Sequence, residues 1–334
     1  MIEYKLSRSG FMKALFDATD ILNDPDALRS RFAQDGYIYV RGIVPHTPLK
    51  ELRKEIVEIC EDCGWIKQGT NPMDAITWTP PKHEGEEEYF EVYDQIQRLE
   101  SFHALAHRPE LSGLMRTLLD ESAFPHPLSI ARLVFPDNEA WSTPPHQDYI
   151  NNQGTTELYA VWIPLSDCPR ALGPLSVLSG SHKLGVLPVE YAWGPGHRQT
   201  KPPAEYANGS WLGGDLQLGD VIIFHSMTIH QALPNKTDRL RLSVDYRYQA
   251  EKQAMTENCL VSHFDRQSWA DIYRGWSSTD LQYYWKNKNV NFVPWDASLG
   301  NLPEEALKKA LALKRLHTRQ RSELAEKFAG DAKQ

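Results

Sequence analysis

The sequence predicts an α+β protein, with a mainly helical N-terminal part followed, from about residue 128, by an antiparallel β-sandwich or barrel. Three observations predict it. Before residue 128, apolar residues recur at helical spacing between helix start and stop signals. From there to about residue 250, short apolar or alternating runs are separated by Gly, Pro, Asn and Asp. The 334 residues include 41% hydrophobic and 24% charged side chains, which is ordinary for a globular chain with ample material for a core.

The elements follow in order. "DPDALRSRFAQDG" has aspartates near its start and Gly36 at its end, the signals of a short helix. "YIYVRGIV" is a β-branched and aromatic run, read as a strand. In "TPLKELRKEIVEICEDCG", Thr47 is the N-cap candidate, Pro48 takes the first helical position and Gly64 is the stop. Its apolar residues Leu52, Ile56, Ile59 and Cys63 fall on one helical face. Residues 66–90 read as a loop ending in "HEGEEEYFE", a solvated acidic stretch, because consecutive acids do not converge on a cation. "YDQIQRLESFHALAH" and "PELSGLMRTLLDE" read as two further helices. The strand candidates are "LSIARLVF", "TELYAVWIPL", "GPLSVLSG", "GDLQLGDVIIFHS" and "RLRLSVDYRYQ". In the tail, "LPEEALKKALALKRLHTRQRSELAEKF" runs from acids to bases, as the helix dipole favours. It is expected to pack outside the barrel or at a subunit interface. The organisation expected is one domain over residues 1–250, with its β core at about 128–250, and a mainly helical C-terminal extension over 251–334.

A net charge of −8 argues against a nucleic-acid partner. No apolar run approaches the length of a membrane span, and "MIEYKLSRSGFMKALFDATD" lacks the apolar core and cleavage site of a signal peptide. A cytoplasmic protein is expected. Cys60 and Cys63 form a C-x-x-C at the end of a helical pattern, while Cys168 and Cys259 stand alone. With no second close pair, these read as incidental thiols.

The chemistry starts at "TPPHQDYINN". On an extended segment His146 and Asp148 point the same way, with Gln147 turned from them. Such a pair binds a divalent metal or merely hydrogen-bonds in a turn, so a partner from elsewhere decides. "GDVIIFHSMTIHQALPNKTDRLRLSVDYRY" offers His225 and His230. Their odd spacing sends them to opposite faces of a strand, so at most one joins the pair. Two histidines and one carboxylate make the facial triad of non-haem iron oxygenases, which leaves coordination positions open. In "RLRLSVDYRY", alternation puts Arg239, Arg241, Ser243, Asp245 and Arg247 on one face, with Leu240, Leu242 and Val244 opposite. If the polar face lines the interior, an arginine there can grip a carboxylate through two parallel hydrogen bonds. A solvated basic edge is the alternative. Arg132, in "IARLVFP", faces either an acidic substrate group inside the barrel or a salt bridge outside it. His182 in "SGSHK" reads as a turn-capping loop residue, and His83, His103, His107, His126 and His197 as structural or solvated. The aromatics of "WSSTDLQYYWKNKNVNFVPW" serve either as packing or as a lid on the barrel mouth.

Taken together, "HQD", "WIPLSD", "GPLSVLSGSHK", "GDVIIFHSMTIHQALPNKTDRLR" and the N-terminal "DGYIYVRGIVP" resemble the phytanoyl-CoA dioxygenase family of Fe(II)- and 2-oxoglutarate-dependent oxygenases, over roughly residues 28–250. The resemblance implies a double-stranded β-helix (jelly-roll, cupin-like) core flanked by helices. It implies His146, Asp148 and His230 as metal ligands and catalytic centre, with His225 outside the set. Arg241 would hold the 2-oxoglutarate carboxylate, with Arg239 a second candidate, and Trp162 would line the co-substrate pocket. Two positions depart from the family pattern. Ala232 stands where the family often has a serine assisting the co-substrate, a hydroxyl Ser243 would have to replace; and "CPRALGPL", with Arg170, stands where Glu-Asn-Gly is usual.

The implied activity uses Fe(2+), 2-oxoglutarate and O₂. It oxidises, most simply hydroxylates, an unactivated C–H bond of a small molecule, with decarboxylation of 2-oxoglutarate to succinate and CO₂. Asp148 disfavours halogenation, since halogenating relatives carry a small residue there. The loops 66–98 and 185–212 are expected to shape the substrate pocket. Expected partners are a small-molecule substrate and a second copy of the chain, joined through the C-terminal extension, with neither nucleic acid nor membrane. Two readings from other classes stay open at this point: a non-catalytic metal- or ligand-binding β-barrel, and a zinc hydrolase using the same three ligands.

Overall fold

In the computed structural model, which describes residues 12–136, 138, 141–207 and 211–300, helix α1 (Pro25–Asp35) begins where the sequence signals it. Asp24 accepts a hydrogen bond from the Ala27 N–H at 3.0 Å, Pro25 opens the first turn, and Gly36 ends the helix at φ 74°. His182 reaches over from the β region and donates from Nε2 to the Ala33 carbonyl, 3.1 Å. A Cβ on Gly36 would stand 2.2 Å from the His182 ring, so both φ and space demand glycine there.

After strand β1 (Tyr37–Val40), helix α2 (His46–Asp62) starts two residues earlier than expected, with Pro45 in place of Thr47 at the cap position. Helix α3 (Glu87–Ile96) begins inside the acidic run, with Glu87 and Glu88 in its first turn, where a helix N-terminus favours negative charge. The helix expected over "YDQIQRLESFHALAH" is therefore divided into α3 and α4 (Glu100–Leu105). The break is fixed by buried Gln97, whose carbonyl accepts from His103 Nε2 at 2.9 Å. Helix α5 (Pro109–Leu119) completes the N-terminal layer.

The β region supplies β2 (Ala123–Pro125), β3 (Ile130–Val134), the short helix α6 (Tyr149–Asn152), β4 (Leu158–Pro164) and β5 (Leu175–Leu178). These are followed by β6 (Val189–Tyr191), β7 (Arg198–Thr200), α7 (Ala204–Ala207), β8 (Trp211–Leu212), β9 (Val221–His225), β10 (His230–Ala232) and β11 (Arg241–Ala250). One antiparallel sheet runs β1-β9-β4-β11-β2, with β3 also on β11; the second runs β10-β5-β8. Alternation divides the larger sheet cleanly. Val161, Ile163, Ile223, Leu242 and Val244 pack on Leu28, Phe32, Leu52 and Phe102 of the helices. Ala160, Trp162, Ile222 and Phe224 face Leu175 and Val177 of the smaller sheet. Two facing antiparallel sheets with a helical layer on one side are the expected jelly-roll core flanked by helices.

Residues 251–300 are less helical than the sequence reading has it. They hold α8 (Trp269–Ile272), several 3-10 turns and the parallel pair β12 (Ala254–Met255) with β13 (Asn291–Phe292). Here aromatic clusters, not a helical stripe, bury the apolar surface. Ile272, Tyr273 and Trp285 pack with Trp269, Trp276 and Tyr284, and the Trp276 indole donates to the Arg98 carbonyl at 2.9 Å. Those rings are packing, not a lid. The helix expected over "LPEEALKKALALKRLHTRQRSELAEKF" lies outside the described residues. Among the described residues no helix is long and apolar enough to cross a membrane. All four cysteines are free, Cys60 within α2 and Cys63 capping its end.

Candidate metal centre

Two backbone hydrogen bonds create the site. The His146 N–H donates to the His230 carbonyl at 3.0 Å, and the His230 N–H to the His146 carbonyl at 3.1 Å. This reciprocal antiparallel pairing, distant along the chain, brings the two rings to a centroid separation of 4.1 Å. Asp148 joins them by a different route from the one expected. The chain does not stay extended there; Asp148 has φ −68° and ψ −29° and leads into α6, with the Asn152 side chain donating to its carbonyl at 2.9 Å. Gln147 turns away and is held by the Gly185 and Met227 carbonyls, each accepting from Nε2 at 2.8 Å.

The result is a triad whose ligand atoms all lie within 4.8 Å of one another. Asp148 Oδ1 is 3.7 Å from His146 Nε2 and 3.8 Å from His230 Nε2. The tautomers follow from the partners. His146 Nδ1 lies 2.8 Å from the Pro144 carbonyl and His230 Nδ1 lies 3.0 Å from the Thr228 carbonyl. A carbonyl only accepts, so each Nδ1 carries the proton and each Nε2 lone pair faces the other ligands. Burial, helped by the neighbouring His230, pushes His146 down to about 3. Burial likewise lowers His230. For Asp148 burial acts upward, but Arg247 and the two imidazoles outweigh it and hold the carboxyl below its ordinary range. At neutral pH the site therefore presents two neutral imidazoles and one carboxylate, the ionic states a divalent metal needs.

Arg247 is a partner that the sequence reading placed on the interior face without assigning it a role. Its Nε and Nη2 donate to Asp148 Oδ2 at 3.1 and 3.0 Å, and Nη2 also reaches Oδ1 at 3.2 Å. This fork fixes the carboxylate and offsets the cost of burying it.

Arg241 lies on the same face of β11 and is 2% exposed. Its Nη1 donates to Ser243 Oγ at 2.7 Å, and its guanidinium carbon is 5.7 Å from the Trp162 ring centroid. Nε is buried without a hydrogen-bond partner. A buried guanidinium with an unmet donor and a hydroxyl beside it fits a carboxylate that the protein itself does not supply. Arg239, two residues earlier, is exposed, pairs its backbone with Ile76 and borders a separate cleft with Arg53 and Asp74. The structure does not bring it to the triad, because β11 proper begins only at Arg241. His225 points to the helical side, beside Phe32 and Tyr159, with Nε2 3.5 Å from Glu157. Arg170 is exposed in a 3-10 turn whose backbone N–H donates to Asp215.

A cavity of about 240 Å³ opens beside His146 and Asp148. Arg132 faces it, not the outside, with Nε donating to Asp245 Oδ2 at 2.7 Å and Nη1 3.7 Å from Glu84. Both loops expected to shape a pocket contribute, Glu84 from the first and Val189, Pro195, Gly196 and Arg198 from the second. Sequence reasoning missed Glu84, which is partly buried, its side chain 13% exposed, inside a run read as solvated, and it missed His263 and Phe264 from the extension. No sequence signal separates Glu84 from its acidic neighbours; only docking of the loop does.

Comparison with known proteins agrees with this geometry. A family model described as phytanoyl-CoA dioxygenase (PhyH) matches residues 32–243. The 1-deoxypentalenic acid 11-beta-hydroxylase of Streptomyces arenae is 26% identical over 261 residues, 73% of this chain and 88% of its own. The peroxisomal phytanoyl-CoA dioxygenase of Homo sapiens is 22% identical over 223 residues, 65% of either chain. Among solved structures, the epimerase SnoN in complex with Fe3+, alpha ketoglutarate and nogalamycin RO superposes with a TM-score of 0.51 at 20% identity. The match covers 70% of this chain and 86% of that one, a likeness of fold.

Proposed function

The chain belongs to the phytanoyl-CoA dioxygenase family, whose model matches more than half of it, and from that premise we propose that it is an Fe(II)- and 2-oxoglutarate-dependent oxygenase hydroxylating an unactivated C–H bond of a small molecule. The observation that carries the reading is the convergence of His146, Asp148 and His230, both imidazoles turned Nε2-inward and the carboxylate ionised. These three residues would hold the iron. The chemistry iron supplies in such a site is activation of O₂ coupled to decarboxylation of 2-oxoglutarate to succinate and CO₂.

The protein's own groups do the rest. Arg247 keeps Asp148 charged and holds its carboxylate beside the two imidazoles. Arg241 grips the distal carboxylate of 2-oxoglutarate, Ser243 adds a hydroxyl where Ala232 offers none, and Trp162 walls the pocket. Arg132 is committed to Asp245 and Glu84, and it acts on substrate by shaping the cavity wall. A facial triad retaining its carboxylate favours oxygen transfer over halogenation.

Anaerobic titration with Fe(II) and then 2-oxoglutarate, followed by succinate release across a metabolite panel in air, tests the assignment. One iron and one 2-oxoglutarate per chain, with O₂-dependent succinate, are expected. Zinc-dependent turnover without 2-oxoglutarate would replace it with the hydrolase reading. A cytoplasmic location is supported by four free cysteines, as a reducing compartment leaves them. A homodimer through the C-terminal extension is tested by comparing sedimentation of the full chain with a chain ending at residue 300.

A further inference from the structure

The cavity beside the triad holds three arginines, and two are already matched. Arg247 is forked onto Asp148. Arg132 lies between Asp245 and Glu84. Arg198 also lines the cavity, and it has no acidic partner among the described residues. An arginine is always charged, so one left without such a partner in a partly exposed cavity wall is available to an anion.

The position of Arg198 is well defined. It pairs with Tyr191 across the β6–β7 hairpin, and Thr200, two residues on, donates its N–H to the Pro145 carbonyl at 2.7 Å, next to ligand His146. At the hairpin tip, Gly194 approaches the Ser142 carbonyl so closely that a Cβ would stand 2.7 Å away. The hairpin is thus docked on the same segment that carries the metal ligands, which fixes Arg198 relative to them.

Resting on the oxygenase reading above, we propose that this cavity takes a small, largely apolar carboxylic acid, its single carboxylate paired with Arg198 and its skeleton against Leu128, Ile130, Ile150, Val189, Pro195 and Phe264. The anion is not 2-oxoglutarate, because Arg241, Ser243 and Trp162 do not line this cavity. With Arg247 matched to Asp148 and Arg132 to Asp245 and Glu84, the wall leaves one guanidinium over, which suits a monoanion; a phosphate dianion would be only half neutralised by it. Glu84 does not neutralise Arg198, since it is turned to Arg132 and to the Gly196 amide. At about 240 Å³ the space lies below the ~300–1,000 Å³ of pockets for drug-sized ligands, so the skeleton is small.

Calorimetry of the anaerobic Fe(II)–2-oxoglutarate protein tests this, with cyclohexanecarboxylate and octanoate as probes, each against its neutral primary amide. At least one acid should bind about tenfold or more tightly than its amide, the scale of a charge-assisted hydrogen bond. Arg198→Gln should bring acid and amide within about twofold, and Arg198→Lys should restore part of the preference. The 2-oxoglutarate affinity of both variants, measured in the same titration, reports that they are folded. Acids binding no more tightly than amides in the wild type, weak binding of both included, overturns the inference, as does a preference that survives in Arg198→Gln. If the wild type takes up neither iron nor 2-oxoglutarate, the oxygenase reading fails instead. The acid–amide comparison on the metal-free protein then still decides the Arg198 site.

Discussion

Leu242, Val244, Tyr246 and Tyr248 of β11 face the helices, while Arg241, Ser243, Asp245, Arg247 and Gln249, interleaved with them, face the sandwich interior, and every one of these residues is buried. The apolar face is complete in itself. Its tyrosines end on backbone carbonyls, Tyr246 Oη donating to Phe102 at 2.6 Å and Tyr248 Oη to Ala106 at 2.5 Å. The polar face is not complete. Arg241 Nε, Asp245 Oδ1 and Arg247 Nη1 are buried without hydrogen-bond partners. Each such atom costs roughly 1–3 kcal/mol, so the polar face keeps hydrogen-bonding capacity for a ligand that the apolar face lacks. One strand therefore divides its work by parity, with stability on one face and chemistry on the other.

The largest effect should come from removing the carboxylate that the polar face holds. Asp148→Ala should lower 2-oxoglutarate-dependent succinate formation by about 10³-fold or more and abolish stoichiometric iron binding. Both are measured per folded molecule by circular dichroism and metal analysis, because Arg247 loses its counter-charge and stability falls as well. Unchanged turnover would remove Asp148 from the centre. On the opposite face, Leu242→Ala should cost about 2–5 kcal/mol in urea unfolding by leaving a cavity against the helices. The kcat of the molecules that stay folded should move less than about twofold. If kcat collapses instead, the two faces are not separable.

Arg241→Ala sharpens the comparison within the polar face. The KM for 2-oxoglutarate should rise about 10–100-fold, the loss of one charged hydrogen-bonding group, while iron affinity changes little. Arg241→Lys should recover only part, since an ammonium cannot reproduce the planar fork. Equal losses of iron and 2-oxoglutarate binding would assign Arg241 to structure.

Much of this division was legible in the sequence, because alternation is local. The polar and apolar residues of "RLRLSVDYRYQ" separate by parity alone, and the structure keeps that separation along β11. The meeting of His146 with His230 was inferred from residue types and a family resemblance; what creates it is a backbone pairing between distant segments, which no local period records. Asp148 arrives by a turn instead of by strand alternation. Glu84 and Arg198 were invisible for a related reason. Each sits on a segment whose direction is set by what it docks against, Glu84's loop by Arg132 and Arg198's hairpin by the Thr200 N–H bond to the Pro145 carbonyl next to His146. The extension misled differently, because its aromatics bury surface in clusters without helical spacing.

Arg239 supplies the smallest effect and the strictest test of parity. It shares its parity with Arg241, so alternation alone would send it inward. Yet the ladder of β11 starts only at Arg241, and the turn before it is fixed by Asn235, whose Nδ2 donates to the Arg239 carbonyl at 2.7 Å and to the Val134 carbonyl at 3.0 Å. That turn leaves the Arg239 side chain exposed, bordering the cleft with Arg53 and Asp74. Arg239→Ala should therefore change stability by less than about 0.5 kcal/mol, as exposed substitutions do. The KM for 2-oxoglutarate should shift by less than about twofold under the assay used for Arg241→Ala. A tenfold rise would mean that the co-substrate site extends past the end of the strand, and that the turn at Asn235 opens to admit it.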